Sequence, residues 1–317
     1  MSEQLVYCNS DGEFYKVAKT GFAKGVFGGG SPGSSSINTI DYIIINTLGN
    51  ATDFGDLTEK RRGSSSMASM TRGVFGGGIN DSEVNSNVLD YITISTSGNA
   101  TDFGDLTVAR VAGLSGCSNS TRGLTAGGYS STAENIIDYV TIASSGNAAD
   151  FGDLTAARYA TSGESNSTRG IFNGGNTGSY ENIIDYVTIA SLGNASDFGD
   201  LTSARSYSTG FSSTTRGICA GGRDSSTTGL NIIDYITIAS AGNASDFGDL
   251  ISNCYGLASS SSTIRGVIVG GYNAVDLYFN VEQYLTISTL GNTLDFGDLT
   301  VARLYLNGLS NAHGGLF

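Results

Sequence analysis

The sequence predicts an all-β chain in which six repeated units close into one ring. Three observations carry this. The pentapeptide Asp-Phe-Gly-Asp-Leu occurs six times, starting at Asp53, Asp102, Asp150, Asp197, Asp246 and Asp295, at spacings of 49, 48, 47, 49 and 49 residues. A unit of roughly 50 residues made of short β-type segments cannot bury a core alone, so neighbouring copies must pack on one another. Composition agrees, with 46 Gly and many Ser, Asn and Thr for turns, β-branched and aromatic residues for strands, and a single Pro, Pro32. No window shows sustained helical periodicity. Length alone would suggest about two domains, but the repeat argues for one closed domain.

The third unit, Val111 to Leu154, serves as the pattern. A small, alternating stretch from Val111 to Cys117 gives the first strand, and a polar turn ending in Thr121-Arg122 leads to a second strand ending in Gly127-Gly128. A variable polar stretch precedes Ile136 to Ile142, whose β-branched and aromatic residues read as a third strand. Gly146-Asn147 turns the chain into the pentapeptide, the fourth strand. Gly-Asn recurs in every unit, starting at Gly49, Gly98, Gly146, Gly193, Gly242 and Gly291, as a tight hairpin turn needs. An Asn three residues before the aliphatic-Asp-Tyr aspartate (Asn38, Asn87, Asn135, Asn182, Asn231, and Asn280 before Gln283) reads as an Asx turn launching the third strand.

These elements resemble a kelch repeat. The double Gly is Gly29-Gly30, Gly77-Gly78, Gly127-Gly128, Gly174-Gly175, Gly221-Gly222 and Gly270-Gly271, and the Tyr of the third strand is Tyr42, Tyr91, Tyr139, Tyr186, Tyr235 and Tyr284. Ala-Arg ends four copies. The usual Trp is missing, and Phe54, Phe103, Phe151, Phe198, Phe247 and Phe296 stand in its place. Over residues 24 to 310 the resemblance implies a six-bladed kelch-like β-propeller with four antiparallel strands per blade. It is nearly silent on function, because such propellers serve many roles. The wording Gly-Asn-Ala-Thr-Asp-Phe-Gly-Asp-Leu also resembles repeat-bearing virion proteins of marine tailed phages, which implies a tail, fibre or capsid-decorating component.

After the last pentapeptide, Leu304 to Ser310 begins a seventh unit that stops at once, with the small-residue character of an inner strand. It is predicted to complete the first blade, which starts near Lys24, so that the ring has no free edge. The propeller then spans 24–317, and residues 1–23 form an N-terminal arm. Leu5, Val6, Tyr7, Phe14, Tyr15 and Val17 make this arm apolar. It reads either as a segment that docks on a neighbouring subunit or virion protein, or as a strand lying on its own propeller.

The formal charge is −13, and twelve of the 29 acidic residues belong to the pentapeptides. The repeat also carries ten arginines: Arg61, Arg110, Arg158, Arg205 and Arg303 after the pentapeptide, and Arg72, Arg122, Arg169, Arg216 and Arg265 before the Gly-rich strand. Asp–Arg and Asp–backbone pairing is the first expectation, with the pentapeptide aspartates among the partners; a ring of acidic cation sites is the alternative. An acidic chain with dispersed Arg is a poor nucleic-acid binder. Cys8, Cys117, Cys219 and Cys254 stand at non-equivalent positions without a CxxC pair, so neither zinc nor a disulfide framework is expected. No 18-residue apolar run and no basic-then-apolar start exist, so neither membrane insertion nor secretion is expected, and the location is a virion if phage-encoded and otherwise the cytoplasm. The Asn-Ala-Thr/Ser sequons at Asn50, Asn99, Asn194 and Asn243 fall in the turns.

Catalysis finds little support, so the chain is read as non-enzymatic, with no catalytic residues, cofactor or metal. The single His, His313, aligns with a position where five units have Arg. Asp-Phe-Gly matches the kinase magnesium motif, but that motif occurs once, beside a Gly-rich loop; six copies in β-repeats refute it. Many carboxylates form no unique pair, which disfavours a glycosidase. Binding is expected where the repeat stops repeating, in the loops between second and third strands. The most aromatic of these offers Tyr272, Asn273, Asp276, Tyr278 and Phe279; Tyr129, Tyr180 and Arg223 are further candidates. Such residues suit a protein partner or a host-surface glycan, and a propeller lectin with a site in each blade is the competing reading.

Overall fold

The computed structural model describes residues 6–8, 14–16, 22–111, 115–225, 228–274 and 277–317. Six four-stranded antiparallel sheets form the blades of a β-propeller. Blade 1 runs, from the inner strand outward, Asn307–Ser310, Lys24–Gly28, Thr39–Ile44 and Thr52–Asp56. Blade 2 consists of Ser65–Ala68, Arg72–Gly76, Val88–Thr93 and Thr101–Asp105. Blades 3 to 6 repeat this order, with inner strands Ser115–Ser118, Ser162–Ser165, Thr209–Ser212 and Ala258–Ser261. The closure expected from the sequence is present, since Gly25 pairs with Ser310 and Gly28 with Asn307. Of the arm, only Val6–Cys8 and Phe14–Lys16 are described, as an antiparallel pair; the rest of residues 1–21 lies outside the described residues.

The repeated motifs have mechanical roles within and between blades. In each blade the pairing of third and fourth strands slips at the pentapeptide, so that Leu89 faces Gly104 and Asp90 faces Asp102 while Phe103 is skipped. Phe103 is therefore a bulge residue. Its ring is buried among Met67, Val74, Leu89 and the next blade's Val140 and Ile142. In all six blades the third-strand Tyr meets this Phe edge to face at 5.9–6.2 Å, a geometry favoured by the ring quadrupoles. The pentapeptide Gly leaves room for the following blade's turn: a Cβ on Gly104 would sit 2.5 Å from the Gly146 carbonyl.

The Gly-Asn turn is more than a hairpin corner. Each of its Asn side chains (Asn50, Asn99, Asn147, Asn194, Asn243 and Asn292) accepts the N–H of the preceding blade's second pentapeptide Asp at 3.0–3.2 Å. The sequon amides are thus committed to a clasp between blades. The Asn before the third strand acts through its backbone, Leu106 donating to the Asn87 carbonyl and Leu154 to that of Asn135. The expected Asx hydrogen bond from these side chains does not occur among the described residues; the residue after the same blade's outer strand anchors this position through the backbone instead.

Charge pairing falls on the third-strand Asp and not on the pentapeptide. Arg61, Arg110, Arg158, Arg205 and Arg303, all fully buried, meet Asp90, Asp138, Asp185, Asp234 and Asp41 of the next blade at 2.8–2.9 Å. Thr58, Thr107, Thr155, Thr202 and Thr300 donate their hydroxyls to the same carboxylates. Among the described residues no pentapeptide Asp joins an ion pair, because the fourth strand lies on the rim of the ring where water solvates it. The other five arginines lie over their own blade's Tyr at 4.3–4.7 Å and donate to the next blade's Ile carbonyl at 2.7–3.1 Å. In blade 1 that place belongs to Lys24, 4.6 Å from the Tyr42 ring, and not to His313.

His313 instead helps plug the central channel. Its Nδ1 accepts the Gly315 N–H at 3.1 Å and its Nε2 lies 3.1 Å from the Ala68 carbonyl, at the start of a short 3-10 turn, Gly314–Leu316. Both contacts are met by the neutral Nε2–H tautomer. Burial pushes its pKa down to about 4.

Two buried carboxyls depart from the repeat. Glu282 stands where the other blades have Ile40, Leu89, Ile137, Ile184 and Ile233, fully buried and with neither carboxyl oxygen hydrogen-bonded. Desolvation, then the negative neighbours Asp41, Asp298 and Asp295 against the single cation Arg303, push its pKa up to about 8. Glu164, which the Asn173 amide holds at 2.6 Å, is raised to about 8 by burial. A raised carboxyl keeps its proton in the folded chain and loses it in the unfolded one. Its contribution is therefore full below the ordinary value of 4.5 and is lost as pH rises toward 8. Glu282→Leu is expected to raise the melting temperature by several degrees more at pH 8 than at pH 5, as read by calorimetry. An equal shift at both pH values would contradict a buried neutral Glu282.

Candidate functional site: a tyrosine arc over the channel mouth

The connection that leaves each outer strand carries the chain to the axis and into the next inner strand. There, in five of the connections, one residue takes left-handed backbone: Gly63 (φ 62), Ala160 (φ 56), Tyr207 (φ 57), Gly256 (φ 69) and Tyr305 (φ 55); the corresponding position between blades 2 and 3 lies outside the described residues. Their amides link head to tail around the axis. Gly63 donates to the Tyr305 carbonyl, Tyr305 to Gly256, Gly256 to Tyr207 and Tyr207 to Ala160, at 2.8–2.9 Å. Left-handed geometry suits Gly and costs about 1–3 kcal/mol for a bulky residue. Tyr207 and Tyr305 bear that cost at a functional-looking place, the mouth of the channel.

Their rings start an aromatic arc. Tyr207 and Tyr305 lie 5.1 Å apart, Tyr255 packs on both at 6.3 and 6.5 Å, Tyr272 on Tyr255 at 5.5 Å, and Tyr278 on Tyr272 at 5.5 Å. The Arg223 guanidinium lies over the Tyr207 and Tyr255 rings at 5.0 and 5.1 Å. Tyr180 sits close enough to interact electrostatically with both Tyr207 and Arg223, and Tyr159 with Tyr207. Tyr129, 40% exposed, meets Tyr159 edge to face at 5.5 Å. Burial, partly offset by Arg223, pushes the Tyr207 hydroxyl up to about 12. Among the described residues the opposite side of the mouth has Gly63 and Ala160 at the corresponding places, so the arc forms a wall on one side of the mouth.

The rings are half-buried, with Tyr129 more open. None of the hydroxyls is buried without a partner, and none is hydrogen-bonded to protein among the described residues. A surface of flat faces with free hydroxyls around a cation can stack on a ligand and hydrogen-bond its rim. The channel beneath holds two cavities of about 70 and 60 Å³, lined by the small residues Ser66, Gly116, Gly163, Gly210, Ser259 and Gly308. This leaves room for a few waters, so a ligand at the mouth rests on the arc and does not thread the ring.

Of the residues singled out from the sequence, Tyr272, Tyr278, Arg223, Tyr180 and Tyr129 share this face. Asn273 is buried in the small hairpin that pairs Tyr272–Asn273 with Leu277–Tyr278. Phe279 packs on the core around Phe247 and Leu250, and its carbonyl accepts the Arg303 N–H. Asp276 lies outside the described residues. Sequence reasoning missed Tyr159, Tyr207, Tyr255 and Tyr305. Their signal was a Tyr one or two residues after the position that closes the repeat, Arg158, Arg205, Cys254 and Arg303.

Among the described residues no group of three His, Cys, Asp or Glu is placed to hold a metal ion, and no helix is long and apolar enough to cross a membrane. Cys117, Cys219 and Cys254 are free and buried. No protein-family model matches the chain, and no curated protein matches it at a significant level.

Proposed function

We propose that this protein is a non-enzymatic interaction propeller that recognises a host-surface ligand on the tyrosine arc, as an adhesion component of a phage virion. The observation that carries the recognition half is the asymmetry of the arc. What the units share builds and joins the blades, whereas the arc is built from residues that the units do not share and leaves its hydroxyls open. One arc per ring favours a single recognition site over a lectin with a site in every blade. His313, the single His, has both ring nitrogens committed to the plug, which fits a binding role better than a catalytic one.

The virion half rests on the wording of the repeat, and so does the kelch kinship. The opposite face of the ring supports attachment there. Phe22, at the root of the arm, is 69% exposed, and the neighbouring blades expose Leu48, Met70, Ile264 and Leu290 by 53–66%. An apolar surface beside Phe22, with an arm of apolar sequence preceding it, suits a second virion protein.

Two measurements test this reading. A mass-spectrometric survey of purified virions is expected to contain this polypeptide; its absence would reject the virion assignment. On an array of bacterial surface polysaccharides, neutral and acidic, the protein is expected to give hits that Tyr255→Ala weakens at least about 10-fold with little change in melting temperature. Hits untouched by that substitution, or none at all, would reject recognition through the arc.

A further inference from the structure

We propose that the arc selects a carboxylated saccharide, with Arg223 as the carboxylate-binding residue; this rests on the recognition role assigned to the arc above. Twelve arginines occur in the chain, and eleven of them are spoken for. Five pair with buried aspartates, five donate to a neighbouring blade's carbonyl, and Arg62 makes a forked pair with Glu83 at 2.8 and 2.9 Å. Arg223 is the exception. Among the described residues it has no carboxylate partner, its Nε is buried without a hydrogen bond, and its contacts are the faces of Tyr207 and Tyr255.

A guanidinium lying over two rings is held at the arc by cation–π attraction before a ligand arrives. Its fork matches a carboxylate in two parallel hydrogen bonds, and a charge-assisted pair in a half-dry site is the strong kind. The chain is otherwise acidic, so a cation set among the arc's rings with no carboxylate partner among the described residues is where a negative ligand finds complementary charge. The rest of the arc specifies what carries that carboxylate. Tyr255, Tyr272 and Tyr278 form a row of rings whose centroids lie 5.5 Å apart in successive pairs, with planes inclined at 59° and 72° and hydroxyls that have no protein partner among the described residues. The C–H face of a pyranose stacks on such rings, and its hydroxyls meet the tyrosine hydroxyls. A uronic or nonulosonic acid within an oligosaccharide satisfies both parts at once, whereas a neutral sugar leaves Arg223 unpaired.

Calorimetric titration of the full chain with tetragalacturonate and with a sialic acid tetramer tests this, against the carboxyl-reduced form of each and a tetraglutamate peptide. Tyrosine emission gives a second readout, since the chain has 16 Tyr and no Trp. At least one acidic tetramer is expected to bind, its reduced form about 10- to 100-fold more weakly. Arg223→Gln is expected to lose a similar factor for the acidic form only, with an unchanged melting temperature, and Arg223→Lys to fall between. Equal binding of the reduced form, retention of binding by Arg223→Gln, no acidic saccharide bound, or tetraglutamate bound as tightly would each overturn the proposal. Array hits on neutral glycans that depend on Tyr255 would leave recognition through the arc standing while removing the acidic selectivity.

Discussion

A chain ended at Arg303 is expected to show no cooperative unfolding transition and to aggregate during refolding. The missing segment supplies blade 1 with its inner strand, Asn307–Ser310, paired along Lys24–Gly28. It also removes Leu304, Leu306, Leu309 and Leu316, all buried. Burial of a Leu side chain is worth roughly 1.5–3 kcal/mol, so the four together match the ~5–15 kcal/mol by which domains are stable at all. Beyond these contacts, the second strand of blade 1 becomes an open edge with the apolar Val26 and Phe27 beside it, a template for pairing with another chain. Leu309 has a further role: it fills the space opposite Gly73 of blade 2, so its loss reaches a second blade. Circular dichroism melting and light scattering check this, and a truncated chain that melts as the full one does would defeat the closed ring.

The second large effect concerns the buried ion pairs between blades. Arg158→Ala or Asp185→Ala alone is expected to cost about 3–5 kcal/mol, because each leaves an uncompensated charge in a fully buried site. The double substitution Arg158→Cys with Asp185→Gln is expected to cost less than either single change, about 1–2 kcal/mol. The protein already contains this exchange. At the junction of blades 5 and 6 the Arg is Cys254 and the Asp is Gln283, both changed together, and Gln283 accepts from the Ile251 amide and the Thr293 hydroxyl at 3.0 and 2.6 Å. At that junction a buried thiol directed at the Ser252 carbonyl and a hydrogen-bonded amide stand where the charged pair holds the other five. Chemical denaturation of the four chains gives the coupling energy directly. Additive costs, with the double variant the least stable, would contradict paired replacement.

The scaffold was legible because it is repeated: six Phe, six Tyr and six Gly-Asn turns can only be packing and turning devices, and the small residues of Leu304 to Ser310 marked them as an inner strand. What the pentapeptide aspartates do was misjudged, since an Arg five and eight residues downstream of them looks like their partner. The chain turns toward the axis between the two, and Arg61 reaches Asp90 across the blade boundary while Asp53 and Asp56 stay on the rim. The arc was half visible. Loop residues such as Arg223 and Tyr272 stand out by failing to repeat, but Tyr207 and Tyr305 fall one position later than Tyr159 and Tyr255 after the same landmark. Aligning units scatters them, and only the left-handed ring around the axis brings them together. Phe279 failed for the opposite reason: an aromatic at a loop's end is as able to close the core beneath it as to face a partner.

Counting ligands per chain tests the account most directly. Native mass spectrometry of the protein with a saccharide that scores on the array is expected to show one ligand bound to each chain, and none bound to the Tyr255→Ala variant. Occupancy rising to six per chain, or a single ligand indifferent to Tyr255, would contradict a site made once, from the residues in which the units differ.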